Sequence, residues 1–179
     1  MSRDLKADLT GRGLRVGVIV SQFNEFVSSR LLQGARDLLR SHDVREEDLT
    51  VVWVPGSLEL PQAAQRMARK GQWDALVTLG AVIRGETVHF DLVAKESARG
   101  IAEVARQTGV PIAFGVLATD TVEQATERAG GRLGNKGADA AAAAIQMANL
   151  FRQLDTDDTG QEVSPGESHT RGTGQKVRT

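Results

Sequence analysis

The chain has 179 residues, of which 40% are hydrophobic and 25% are charged, and its formal net charge is −1 at pH 7. This length favours one domain, and this composition is typical of a globular chain with a sizeable core. The charge gives no general attraction to nucleic acid or to an anionic membrane. The absence of cysteine excludes disulfides, thiolate zinc sites and cysteine nucleophiles, and it fits a cytoplasmic protein.

The first residues are polar and the apolar runs are short. No run approaches the roughly 18 residues that a membrane span needs, and the chain does not open with the apolar core of a signal peptide. We therefore expect neither a membrane span nor a leader. Residues 1–13 predict a flexible arm, or one that docks elsewhere.

Short apolar runs alternate with helix-length segments along the rest of the chain. The runs predict strands at residues 14–20, 49–54, 75–79 and 112–117. Helical patterns follow them at residues 25–42, 61–71 and 91–107, then in a short segment from residue 121 and in an alanine-rich segment at residues 138–154. Asn24 can cap the first helix, and Leu92 is among the residues expected to be buried in the third.

This β-α-β-α-β-α-β-α-α order predicts an α/β fold, a three-layer αβα sandwich around a flavodoxin-like parallel sheet with strand order 2-1-3-4. Residues 14–154 form the predicted domain. Residues 155–179 contain few apolar side chains and predict a disordered polar tail. The carboxyl ends of parallel strands lie at one edge, where open α/β sheets bind ligands.

The segment from Gly80 to Asp91 follows the third strand and carries the first candidate for proton transfer. Histidine exchanges protons near neutral pH more readily than other side chains. The chain has three histidines. His42 falls at the end of the first helix, where a cation suits the helix dipole, and His169 lies in the polar tail. His89 is therefore the candidate.

Phe23 and Glu59 each allow two interpretations. Phe23 lies in the turn after the first strand, where an aromatic ring can be a hydrophobic plug or a stacking platform for a flat ligand. Glu59 lies near the amino terminus of the second helix. Its charge suits the helix dipole there, or its carboxylate accepts hydrogen bonds from a polyhydroxyl substrate.

Arg128 and Lys136 both stand beside glycine-rich backbone, which suits an anion such as phosphate. Gly85, Glu86 and Thr87 could supply N–H donors and a hydroxyl to the same group, although the Glu86 carboxylate would be unfavourable there. The alternative for both cations is a charge that stabilises the end of a helix.

Several classes of enzyme lack their signatures. With His89 as the single histidine at the predicted site and no thiol, no credible three-ligand metal set remains. The chain has neither a Gly-x-Ser-x-Gly elbow nor a Walker loop. The remaining interpretation is acid–base chemistry on a phosphorylated small molecule beside a planar, hydroxylated partner.

Six motifs, in order along the chain, closely resemble those of the lumazine synthase (6,7-dimethyl-8-ribityllumazine synthase) family. They are Phe23-Asn24, Pro55-Gly-Ser-Leu-Glu-Leu-Pro61, Gly80-Ala-Val-Ile-Arg-Gly85 with His89-Phe-Asp91, Phe114-Gly-Val-Leu117, Glu123-Gln-Ala-Thr-Glu-Arg-Ala-Gly130 and Gly134-Asn-Lys-Gly137. The resemblance covers residues 14–154. It implies condensation of 5-amino-6-(D-ribitylamino)uracil with 3,4-dihydroxy-2-butanone 4-phosphate, without a cofactor or a metal.

The resemblance also implies roles for individual residues. The ribitylaminouracil would be bound by Phe23, Ser57, Leu58, Glu59, Ala81, Val82, Ile83 and Phe114. The butanone phosphate would be bound by Gly85, Glu86, Thr87, Arg128 and Lys136. His89 would transfer protons, and Phe114 and Arg128 would come from a neighbouring subunit.

The implied partners are copies of the same chain. Members of the family form pentamers, paired pentamers or sixty-subunit shells, and the uninterrupted turn at residues 130–137 resembles that of the shell-forming members. The arm could add a strand to the adjacent subunit, and riboflavin synthase is a candidate partner. The alternative function is a protein of the same fold that binds a flavin or lumazine without turnover, or that serves as a shell scaffold.

Overall fold

A four-stranded parallel sheet with strand order β2-β1-β3-β4 forms the centre of the fold. The computed structural model describes residues 4–158. The strands are β1 (Val16–Ser21), β2 (Leu49–Val54), β3 (Ala75–Ile83) and β4 (Ile112–Thr119). Val16 pairs with both Leu49 and Ala75, so the three strands start level and their carboxyl ends lie at the same edge. The predicted flavodoxin-like sheet order is confirmed.

Helices cover both faces of this sheet, as a sandwich requires. They are α1 (Glu25–Ser41), α2 (Leu60–Ala68), α3 (His89–Thr108), α4 (Val122–Arg128) and α5 (Lys136–Asp158). Successive side chains of β1 point to opposite faces of the sheet, which divides the core into two clusters. Val16, Val18 and Val20 belong to the cluster with α1 and α5. Ile19 points to the opposite face and belongs to the cluster with α2 and α3. β1 is buried at every position because helices lie on both sides of it.

Helix α3 differs from its prediction in two ways. It begins at His89, two residues before the expected start at Asp91. Leu92, predicted to be buried, is 59% exposed. The buried face of α3 includes Ile101 and Val104, and Leu92 lies about two and a half turns before Ile101, on the opposite side of the helix.

The glycine-rich turn before α5 forms a small antiparallel hairpin, β5 (Ala129–Gly131) with β6 (Gly134–Asn135). Helix α5 then begins earlier than predicted, because the Asn135 side chain accepts hydrogen bonds from the N–H groups of Gly137 at 2.8 Å and Ala138 at 3.2 Å. The helix continues to Asp158, four residues past the predicted end. The remainder of the predicted disordered tail, residues 159–179, lies outside the described residues.

Part of the predicted amino-terminal arm lies against its own chain. The Asn149 side chain on α5 donates hydrogen bonds to the Thr10 carbonyl oxygen at 2.8 Å and to the Asp8 carboxylate at 3.0 Å. The Gly11 N–H donates to the His42 carbonyl oxygen at 2.6 Å. These bonds hold residues 8–11, whereas residues 1–3 lie outside the described residues. Addition of a strand to a neighbouring subunit stays a prediction.

Candidate active site

A cleft of about 450 Å³ opens at the carboxyl edge of β1, β2 and β3, where the topology predicts a ligand site. Its lining combines apolar side chains with a few polar groups. The residues that line it are Phe23, Pro55, Gly56, Ser57, Leu58, Glu59, Ala81, Val82, Ile83, Gly85, Thr87, His89, Phe90 and Val93. Most of the residues predicted to bind the ribitylaminouracil therefore meet in one place, together with His89.

The turn after β1 presents Phe23 to this cleft. Its backbone is held to the end of β2, since the Phe23 N–H donates to the Pro55 carbonyl oxygen at 3.1 Å. The ring is 70% exposed, which does not fit a hydrophobic plug in the isolated chain. An exposed ring held by a fixed backbone offers a face on which a flat ligand can stack.

Asn24 is the N-cap residue of α1, as predicted, but its side chain accepts no capping hydrogen bond. Its backbone adopts the left-handed conformation, with φ of 61°, which asparagine tolerates better than most residues. The side chain points across the sheet edge instead, and its amide donates a hydrogen bond to the Ala81 carbonyl oxygen at 2.9 Å. The turn after β1 is thereby joined to the end of β3.

The segment after β2 forms a single 3₁₀ turn, Ser57–Glu59, that leads into α2. Ser57 is buried, Leu58 is exposed and Glu59 is partly buried. Glu59 stands immediately before α2 and also lines the cleft. Its position is therefore compatible with both interpretations of its charge, stabilisation of the helix terminus and acceptance of hydrogen bonds from a ligand.

The end of β3 and the loop that follows form another part of the cleft. Ala81 and Val82 are buried in the sheet, whereas Gly85, Thr87 and His89 are exposed where they line the cleft. The His89 N–H lies 3.4 Å from the Thr87 hydroxyl oxygen. His89 is the first residue of α3, so its backbone belongs to the helix and directly follows the loop.

A family model for 6,7-dimethyl-8-ribityllumazine synthase matches residues 13–152, most of the chain. The chain belongs to the lumazine synthase family. Membership assigns it to riboflavin biosynthesis and to a transferase family. The matched range contains every residue of the cleft.

Four residues that the resemblance assigns to a lumazine synthase site do not line this cleft: Glu86, Phe114, Arg128 and Lys136. Phe114 pairs with Thr78, whereas Ala81 of the cleft pairs with Leu117 three positions further along β4. At about 3.3 Å per residue, Phe114 lies roughly 10 Å back from that edge. Phe114 and Lys136 line a separate hollow of about 300 Å³ between β4 and α5.

The two candidate phosphate cations make contacts within their own segments. The Arg128 guanidinium donates to the Gln124 carbonyl oxygen at 3.0 Å, and the Lys136 ammonium lies 2.8 Å from the Asp139 carboxylate. Glu86 is exposed and is not part of the cleft lining. The single chain therefore does not bring Arg128 or Lys136 to the cleft that contains His89.

Sequence reasoning gave no role to four residues that line the cleft: Pro55, Gly56, Phe90 and Val93. If α3 had been predicted to begin at His89, the sequence would have indicated Val93, because His89 and Val93 are four residues apart and share one helix face. Phe90 is nearly buried and supplies an aromatic wall.

Arg84 is a further residue that the sequence did not single out. Its guanidinium lies 4.1 Å from the centre of the Phe90 ring and donates to the Asp120 carboxylate at 2.7 Å. That hydrogen bond raises the pKa of Arg84 further above its ordinary value, with a smaller contribution from Asp91. Arg84 therefore remains a cation throughout the working range of pH.

Two structural findings concern the described residues as a whole. Within residues 4–158, no helix combines the length and the apolar composition that a membrane-spanning segment requires. In the same part of the chain, no group of three or more His, Cys, Asp or Glu side chains is placed to hold a metal ion.

Proposed function

We propose that this lumazine synthase family member condenses 5-amino-6-(D-ribitylamino)uracil with 3,4-dihydroxy-2-butanone 4-phosphate to give 6,7-dimethyl-8-ribityllumazine, inorganic phosphate and water. The observation that carries the proposal is the convergence of Phe23, Glu59 and His89 on one cleft. An exposed ring, a carboxylate and an imidazole match a flat heterocycle, a polyol and a reaction that moves protons.

The ribitylaminouracil occupies the part of the cleft between the turn after β1 and the segment after β2. Phe23 stacks on the pyrimidine ring, and Ala81, Val82 and Ile83 form the adjoining wall. Ser57, Leu58 and Glu59 hold the ribityl chain. The Glu59 carboxylate is partly buried, so hydrogen bonds that it accepts from ribityl hydroxyls are less exposed to competition from water.

The phosphate group of the second substrate lies against the loop between β3 and α3. Gly85, Glu86 and Thr87 supply backbone N–H groups, and Thr87 adds a hydroxyl. Glu86 contributes through its backbone, which agrees with its absence from the cleft lining. Arg128 and Lys136 supply the cationic partners that a phosphate dianion favours.

The reaction proceeds by proton transfers that need no external oxidant or reductant. The 5-amino group attacks the ketone and water leaves, which forms an imine. Loss of a proton and cleavage of the C–O bond then release phosphate. The enol left by this elimination tautomerises to a ketone, the ribityl-bearing nitrogen closes the ring on that new carbonyl, and a second water leaves. His89 lines the cleft where the two substrates meet and exchanges protons during these steps.

The complete site requires a second subunit, because Phe114, Arg128 and Lys136 lie away from the cleft in one chain. Phe114 is 47% exposed, as expected of a ring that a neighbouring subunit would cover. We propose that β4 and α4 of one subunit close the cleft of the next, in pentamers that assemble into a sixty-subunit shell.

Mixing the two substrates with purified, assembled protein tests this function. We expect lumazine fluorescence to appear together with one equivalent of inorganic phosphate for each lumazine formed. If correctly assembled protein produced neither fluorescence nor phosphate, the enzyme hypothesis would be rejected. The alternative of a non-catalytic binder or scaffold would then remain. Native mass measurement of the same sample gives the number of subunits.

A further inference from the structure

The Arg84 side chain connects the loop between β3 and α3 to two other parts of the chain. Its Nε donates to Asp120 Oδ1 at 2.7 Å, across the sheet edge in the β4–α4 connection. Its NH1 group lies 3.4 Å from Asp91 Oδ2 in the first turn of α3. The guanidinium also covers the ring of Phe90, which lines the cleft. Arg84 itself does not line the cleft.

These contacts surround a loop that has few bonds of its own. Within the described part of the chain, the bonds of residues 85–88 are a long one from the His89 N–H to the Thr87 hydroxyl, at 3.4 Å, and one from the Leu92 N–H to the Val88 carbonyl oxygen, at 3.3 Å. Gly85 adds backbone freedom. The position of this loop therefore depends on what holds its two ends.

Stability does not explain the Arg84 cluster. The side chains of Arg84 and Asp120 are 44% and 66% exposed, and exposed ion pairs add little to the free energy of folding. The cluster instead restricts geometry, because one planar group meets two carboxylates and an aromatic ring in a fixed arrangement. A lysine ammonium cannot reproduce that fork and stacking geometry.

We propose that Arg84 is a positioning residue, which holds Gly85–Thr87 and His89 in place against the cleft by joining Asp120 to the first turn of α3. The proposal rests on the proposed function, in which this loop binds the phosphate. Arg84 acts through the loop and touches neither substrate. Its loss therefore affects the phosphorylated substrate and the proton transfers, whereas the ribitylaminouracil keeps its contacts with Phe23 and Glu59.

The kinetic test uses full-length assembled protein carrying Arg84→Ala, Asp120→Ala or both. We expect each single change to raise the KM for the butanone phosphate and to lower kcat by roughly tenfold, as a misplaced reacting group does. The KM for the ribitylaminouracil stays within about twofold. The kinetic constants of the double variant should be no worse than those of Arg84→Ala, because both changes break the same link. Arg84→Lys should recover little of the lost activity.

Arg99→Ala is the matched control. Like Arg84, Arg99 pairs with a carboxylate on α3, that of Glu96 at 2.6 Å. It lies farther along the helix, away from the loop. We expect it to leave all three kinetic constants unchanged. Unchanged constants in Arg84→Ala, equal rises in both KM values, or additive losses in the double variant would each overturn the positioning role.

Hydrogen–deuterium exchange provides a readout that does not depend on turnover. We expect the amides of residues 85–92 to exchange several-fold faster in Arg84→Ala and Asp120→Ala than in the unaltered protein or in Arg99→Ala. Equal exchange overturns the inference. An unaltered protein that makes no lumazine rejects the proposed function instead, so the two failures are distinguishable.

Discussion

The Asn24 side-chain amide donates a hydrogen bond to the Ala81 carbonyl oxygen at 2.9 Å, across 57 positions of sequence. This bond joins the turn that presents Phe23 to the strand that forms an adjoining wall of the cleft. In the proposed function the pyrimidine ring lies between those two walls, so the distance between them would determine whether it fits. Asn24 therefore has a geometric role as well as an unusual backbone conformation.

Substitution of Asn24 separates these two roles. Asn24→Gly keeps the left-handed backbone but loses the bond, which we expect to cost about 1 kcal/mol in the free energy of unfolding. Asn24→Ala loses both and should cost about 1–2 kcal/mol more. Denaturant unfolding at one fixed protein concentration measures the difference. Both variants should raise the KM for the ribitylaminouracil, and equal stability of the two would contradict the backbone argument.

His89→Ala should lower kcat by roughly ten- to ten-thousand-fold. General acid–base groups usually contribute about a hundred- to ten-thousand-fold, so the expected loss lies within or below that range. The KM for the ribitylaminouracil should change little, since Phe23 and Glu59 remain. Steady-state kinetics on assembled protein makes the measurement, and His42→Ala is the control because His42 binds the Leu38 carbonyl oxygen far from the cleft. An unchanged kcat would remove His89 from the chemistry.

Arg128→Ala should raise the KM for the butanone phosphate by roughly ten- to a hundred-fold, which corresponds to loss of a charge-assisted hydrogen bond. Arg132→Ala is the matched control, since Arg132 lies in the nearby turn between β5 and β6 and pairs with Glu127 at 2.9 Å. Initial rates over a range of the phosphorylated substrate distinguish the two variants. Similar KM values for both would show that Arg128 is an ordinary surface charge.

Mixed assemblies test whether the site is shared between subunits. His89→Ala and Arg128→Ala remove groups that we assign to different subunits of one site. If the two chains are co-expressed in equal amounts, about a quarter of the interfaces in a random ring combine the intact His89 with the intact Arg128. At a low concentration of butanone phosphate, the mixture should exceed the activity of both parents. Activity equal to their average would place the two residues in the same subunit.

Gly137→Ala should destabilise the protein, although alanine is the better helix former by about 1 kcal/mol. A side chain at this position would contact the Leu31 carbonyl oxygen of α1, so helix α5 could not pack as closely. The midpoint of denaturant unfolding should fall. Gly71→Ala is the control, because Gly71 has open space around it but a φ of 63°. That variant shows the effect of backbone strain without crowding. A rise in stability would mean that the two helices can move apart without loss.

The amino-acid sequence by itself determined the strand order, the two-sided burial and most of the cleft. Apolar runs and helical stripes are local patterns, and β1 is continuously apolar because both of its faces are covered. The loops after parallel strands must then meet at one edge, which explains why Phe23, Glu59 and His89 were predicted together. The motifs that resemble lumazine synthases lie within the range that the family model matches.

The tertiary structure alone decided which contacts hold those loops and which predicted site residues lie outside the cleft. The contacts from Asn24 to Ala81 and from Arg84 to Asp120 join residues 57 and 36 positions apart, and no local pattern encodes such pairs. The strand register sets Phe114 opposite Thr78, away from the cleft. Contacts of this kind depend on how segments pack in space, so the structure was required to show that one chain leaves Phe114, Arg128 and Lys136 outside the cleft.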